Sequence, residues 1–190
     1  RWGGAGPRGE RGGTVDSVAL AASDWAAEAP AAVFGEDNTS MRQDLTIHGA
    51  MPGQFLQLCD SNKFRAPTSV RAMFSSGAFI GGWAVYGEQF MAEAGYGGPE
   101  VKMEQLKMRL RVICNAILDQ SIHTANMSEQ EALDLMEKEG FQQEGEAVAK
   151  WKRARLSSTQ LSTYFVGVTE HLDLRARAKK QASAKFELQK

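Results

Sequence analysis

From Asn38 onward the apolar positions recur at steps of three and four, the period of an α-helix rather than the alternation of a strand. Met41, Leu45 and His48 share one helical face, and Pro52-Gly53 then interrupts the run before Phe55 and Leu56, which predicts two helices joined by a kink or turn. Phe79, Trp83, Tyr86 and Phe90 form the next stripe, and Gly95 suits the position just past that helix's end. Met103, Leu106, Leu110, Ile113 and Ile117 make the clearest amphipathic pattern in the chain and are expected to face a core. Ser128 and Glu131 have the spacing of a capping box, with Gly140 closing the helix they open. Val148, Trp151 and Arg155 continue helically, and Leu161, Tyr164, Phe165, Val168 and Leu172 draw a last stripe. The expected fold class is therefore mainly α.

Before Asn38 the pattern fails. The opening RWGGAGPRGERGG holds six glycines in 13 residues and no periodic apolar positions, so residues 1–37 are expected to be flexible or irregular. Within them, Ser17 to Ala21 reads as a short strand, followed by a helical turn capped by Asp24 and limited by Pro30. Gly77, Gly81, Gly82 and Gly87 weaken the helix they sit in by roughly 1 kcal/mol each relative to alanine. They must be compensated by packing or mark lost side chains.

Composition narrows the partners. Twenty-two Lys+Arg against 23 Asp+Glu leave a formal charge of -1, so no global field recruits nucleic acid or an anionic membrane. Ten basic residues face three acidic ones between Lys150 and Lys190, most simply as a solvated helical face. No apolar run reaches the roughly 18 residues of a membrane span. Cys59 and Cys114 make no disulfide framework, and one bridge or two buried thiols are both compatible with them, so the compartment stays open. A start at Arg1 and a stop in KFELQK suggest a longer protein cut at both ends.

A hydrolytic zinc site needs imidazole and carboxylate ligands, an open position for water and a nearby carboxylate base. Thr46 to Leu58, TIHGAMPGQFLQL, supplies only His48 of that set. Gly49 has no basic group, Gln54 offers a neutral oxygen, and a lone histidine on an amphipathic helix is more often structural than a ligand. Asp119 lies one helical turn before His123 and can orient its ring. Arg109 and Arg111 are read as solvated, with a substrate carboxylate as the alternative partner.

QDLTIHGAMPGQFLQL, FIGGWAVYGEQFMAEAGY, RLRVICNAILDQSIHTANMSEQEA and KWKRARLSSTQLSTYFVG occur in the order and approximate spacing of a bacterial family of uncharacterised proteins, domain of unknown function 885. That family resembles zinc metallopeptidases, with patterns HExxPGHxLQ, EGWAxYxE, DxxxH and a later Gln-xxx-Tyr. The resemblance covers residues 38–190 and implies a helical, zincin-like domain, the C-terminal portion of a larger protein. It implies metal ligands at His48, Glu88 and His123, with Gln54 and Gly81 at the positions of lost ligands and Gly49 at that of the lost base. Tyr164 is implied as the oxyanion stabiliser, Asp119 as an orienting carboxylate, and Gln160 as a substrate contact, to which the residue reading adds Arg109 as a candidate for a substrate carboxylate. The family's two motif histidines are six apart, so a turn must bring position 54 back to His48. Zinc belongs to the intact family, and little or none is expected in this chain. Two readings follow: a variant or fragment of a zinc-dependent peptidase-like protein, inactive as sequenced, or a non-catalytic peptide-binding pseudoenzyme or structural helical domain. Peptide is the expected partner, and His48, Glu88 and His123 are expected to converge on one cleft.

Overall fold

The computed structural model describes residues 38–182, apart from 66, 69, 71 and 72. The expectations for residues 1–37 lie outside the described residues. Asn38 starts the first helix, α1 (Thr39–Gly49), by accepting from the Met41 amide. Ala50 to Gly53 break it, and α2 (Gln54–Lys63) follows. Ser76 caps α3 (Gly77–Glu93) through the Phe79 amide. Gly95, at φ 84°, takes the left-handed position expected just past its end. Pro99 in the first turn opens α4 (Gly98–Thr124), the longest helix described. The Ser128–Glu131 capping box opens α5 (Glu129–Asp134), which runs on as a π turn over Leu135–Glu139. Then come α6 (Glu144–Leu156) and α7 (Thr163–Ala182). No strand occurs among the described residues, as the periodicity of the chain predicts.

α3 and α7 lie along each other more extensively than any other pair of helices. Glycine makes that approach: a Cβ on Gly82 would fall on the Gly167 backbone, and one on Gly167 would fall on the Ala78 carbonyl. Gly82 is thus a packing glycine, and its helix-propensity cost is offset by backbone-to-backbone contact. Gly140 is required by proximity too, since a Cβ there would stand 2.7 Å from the Met136 oxygen and 2.9 Å from the Cys114 sulfur.

Two apolar clusters hold the helices. Leu118, Met136, Ala147, Trp151, Ala154 and Leu161 join α4, the π turn, α6 and the loop before α7, while Val85, Tyr86, Val112 and Val168 join α3, α4 and α7. Cys59 and Cys114 are free thiols, and burial pushes the Cys114 thiol up.

The stripe that looked most like a core face is not one. Met103 is 66% exposed and Leu106 46%, and Leu110 and Ile117 are exposed as well. α4 turns Val101, Gln105, Val112, Asn115, Leu118 and Asp119 inward instead. Phe79 of the α3 stripe is also half exposed, and α3 buries Gly81, Gly82, Ala84, Val85 and Glu88. Where hydrogen-bond partners wait inside, a polar side chain can take an inward position that periodicity assigns to an apolar one. None of the described helices is long and apolar enough to cross a membrane.

Candidate functional site

A cleft of about 200 Å³ opens between α1, α3, α4, α6 and α7, with lining residues drawn from both apolar clusters. His48 stands on its α1 wall. Its ring Nδ1–H donates to Glu88 Oε1 of α3, which leaves Nε2 as an acceptor in the neutral ring. The Gln54 side-chain amide reaches that second nitrogen at 3.5 Å. The turn at 50–53 therefore does what the six-residue spacing requires and carries position 54 back to the imidazole.

Tyr164 faces the same space, its ring centroid 6.3 Å from that of His48. Gln160 lies one turn earlier and donates to the phenol oxygen at 3.3 Å, while its own carbonyl accepts from Arg153 at 2.9 Å. The Gln-xxx-Tyr pair is thus a relay from α6 to the cleft. A Cβ on Gly81 would meet Tyr164 Cδ1 at 2.9 Å, so the tyrosine ring lies where a side chain at 81 would begin. Gly49 is different, with nothing within 4 Å of an added Cβ.

Other predicted residues stand elsewhere. His123 is not among the cleft-lining residues; its Nε2 donates to the Ser157 carbonyl at 2.8 Å and lies 3.2 Å from that of Ala154. Asp119 is 3.8 Å from that nitrogen, too far for a hydrogen bond. Its carboxylate accepts instead from the Thr159 and Ser162 amides, both at 3.0 Å, and from the Ser162 hydroxyl at 2.6 Å. Asp119 thereby organises the loop leading into α7. Arg109 lies outside the cleft lining, its Nη1 buried without a hydrogen-bond partner. Burial lowers its pKa, an effect that the charge of Glu88 offsets in part. Arg111 does line the cleft and pairs with Glu146 at 2.7 Å.

Asp44 was missed by the motif reading. It is fully buried one turn before His48, and neither carboxyl oxygen has a hydrogen-bond partner. Burial first, and then the charge of Glu88, push it up to about 8, so the group is mostly protonated at neutral pH. Asp44 and His48 repeat the Asp-xxx-His spacing of Asp119 and His123, a signal present in the sequence. Asn115, Lys150 and Arg153 also line the cleft and carried no motif. Among the described residues no three His, Cys, Asp or Glu side chains gather closely enough to hold a metal ion.

A family model described as "Bacterial protein of unknown function (DUF885)" matches residues 6–190. A solved structure of a presumed lipoprotein of unknown function from Shewanella oneidensis is similar at 42% identity and a TM-score of 0.82, covering 96% of this chain and 33% of that one. A presumed lipoprotein from Colwellia psychrerythraea is similar at 25% identity and a TM-score of 0.73, covering 80% of this chain and 26% of that one. The chain thus spans about a third or less of the solved proteins it resembles. No curated protein matches it.

Proposed function

Since the chain belongs to the DUF885 family of bacterial proteins, we propose that residues 38–190 form a peptidase-like helical domain whose cleft binds peptide and, as sequenced, does not cleave it. The observation that carries this reading is the Gln54 amide on His48 Nε2. A hydrolytic zinc centre would use that nitrogen together with two or three further protein ligands. The residues present do not fit one. Both ring nitrogens of His48 are engaged, by Glu88 and Gln54. Gly81 carries no donor, and the ring of Tyr164 lies over it. Gly49 supplies no base, although the space beside it is open.

What remains suits binding. Glu88 holds His48 in one tautomer, as carboxylates that orient imidazoles do. Tyr164, steadied by Gln160, presents a phenol that can donate to a peptide carbonyl. Arg153, exposed on α6, places positive charge at the cleft. Asp119 and His123, with their polar atoms engaged by the loops after α6, are assigned to the scaffold.

The test pairs the chain with its triple reversion, Gly49→Glu, Gln54→His and Gly81→Glu. The unaltered chain is expected to bind short peptides in calorimetry and to leave a mixed peptide library intact. The revertant is expected to take up zinc, with large non-additivity among the three changes because a base without a metal, or a metal without a base, activates no water. Gly81→Glu further requires the Tyr164 ring to swing away. Cleavage by the unaltered chain, or a well-folded revertant that binds no zinc, would overturn the proposal.

A further inference from the structure

The lining of the cleft is chemically two-ended. On its inner side are acceptors without donors: Glu88 is 1% exposed and Asn115 7%, and neither Glu88 Oε2 nor Asn115 Oδ1 has a hydrogen-bond partner. A buried acceptor left unmatched is costly, and a ligand that brings an N–H recovers that cost. On the α6 side are donors with positive charge. Arg153 is exposed, lines the cleft and is bonded to the neutral amide of Gln160, and Lys150 lines the cleft one turn before it. Arg111, already matched by Glu146, adds no net charge.

We infer that the cleft recognises a small zwitterion, a free amino acid or dipeptide, with its ammonium on Glu88 and Asn115 and its carboxylate on Arg153. This rests on the peptide-binding reading above and narrows it to a ligand with both ends free. The size agrees. At about 200 Å³ the cleft lies below the roughly 300–1,000 Å³ of sites for larger organic ligands. The donor count agrees as well, since Glu88 Oε2 and Asn115 Oδ1 offer two acceptors to the three N–H donors of an ammonium, where a mid-chain amide brings one. Both acceptor atoms are covered, so binding requires the Asn115 amide to turn about its broad terminal torsion and the Glu88 carboxylate to share with the ammonium the oxygens that now hold His48.

Calorimetry on the unaltered chain decides the matter with five probes: L-alanine, L-Ala-L-Ala, N-acetyl-Ala-Ala, Ala-Ala-amide and the doubly blocked peptide. Free Ala-Ala or alanine is expected to bind, with each single block weakening binding roughly tenfold or more, the scale of one lost charge-assisted contact. Asn115→Leu is expected to erase the discrimination against the acetyl group, and Arg153→Gln the discrimination against the amide. Equal binding of free and doubly blocked peptides would overturn this inference and leave the peptide-binding reading standing. Failure of every peptide to bind would remove both. The blocked-peptide comparison uses the unaltered chain, so a variant that does not fold leaves the test intact.

Discussion

Asp119 is the residue whose replacement separates scaffold from site most cleanly. It is 2% exposed, and its carboxylate ends two orphan amides in the loop before α7 as well as one hydroxyl. Asp119→Ala leaves the Thr159 and Ser162 amides without their acceptor; the Ser162 hydroxyl can turn elsewhere. Hydrogen bonds to a charged group contribute about 1.5–3 kcal/mol each, so a loss of about 3–6 kcal/mol is expected for the two amides. For a chain of this size about 1 kcal/mol moves the thermal midpoint by roughly 2–4 °C, which puts the shift at about 6–24 °C. Asp119→Asn keeps one carbonyl acceptor and is expected to lose about half as much. Urea unfolding followed by circular dichroism reads both values. The companion His123→Ala tests whether Asp119 serves the histidine: across 3.8 Å without a hydrogen bond, a double-mutant cycle is expected to show coupling below about 0.5 kcal/mol. A cost under about 1 kcal/mol for Asp119→Ala, or a large coupling to His123, would refute the assignment of this carboxylate to the loop.

Gly82→Ala and Gly167→Ala drive a methyl into facing backbone, and each is expected to cost roughly 3 kcal/mol or more in urea unfolding; a cost below about 1 kcal/mol would mean that α3 and α7 do not meet at these residues. The Asp44 carboxyl gives a pH signature. Its folded pKa, about 8, lies above its ordinary value, so between roughly pH 4 and 8 the folded state holds a proton that the unfolded state releases, and stability falls as pH rises, by up to about 1.4 kcal/mol per unit. Stability measured from pH 5 to 8 should fall less steeply in Asp44→Asn, and identical slopes would refute the burial argument. On α4, Leu106→Gln is expected to stay within about 0.5 kcal/mol of the unaltered chain, whereas Val112→Ala, on the buried face, should cost about 1–3 kcal/mol; the reverse order would restore the stripe predicted from periodicity.

Helix existence and helix ends were legible in the sequence because they are settled within a few residues. The Ser128–Glu131 box, the left-handed Gly95 and the break at Pro52-Gly53 each act through contacts at most a turn or two away, and each stands where the pattern puts it. Periodicity also identified helix after helix, yet it misassigned the inward face of α4. Which face is buried depends on what lies opposite: Asn115 points into a cleft and Asp119 meets the amides of a loop about forty residues away in the chain, so both go in while Met103 and Leu106 stay out. The glycines divide for the same reason, since only the neighbouring helix reveals that Gly82 is needed for contact with Gly167 and that Gly81 lies under the Tyr164 ring. The motif residues are likewise sorted by tertiary contacts. A turn returns Gln54 to His48, whereas α4 carries His123 to the carbonyl groups that end α6, because distance in space along a bundle is set by helix length and packing and not by motif order.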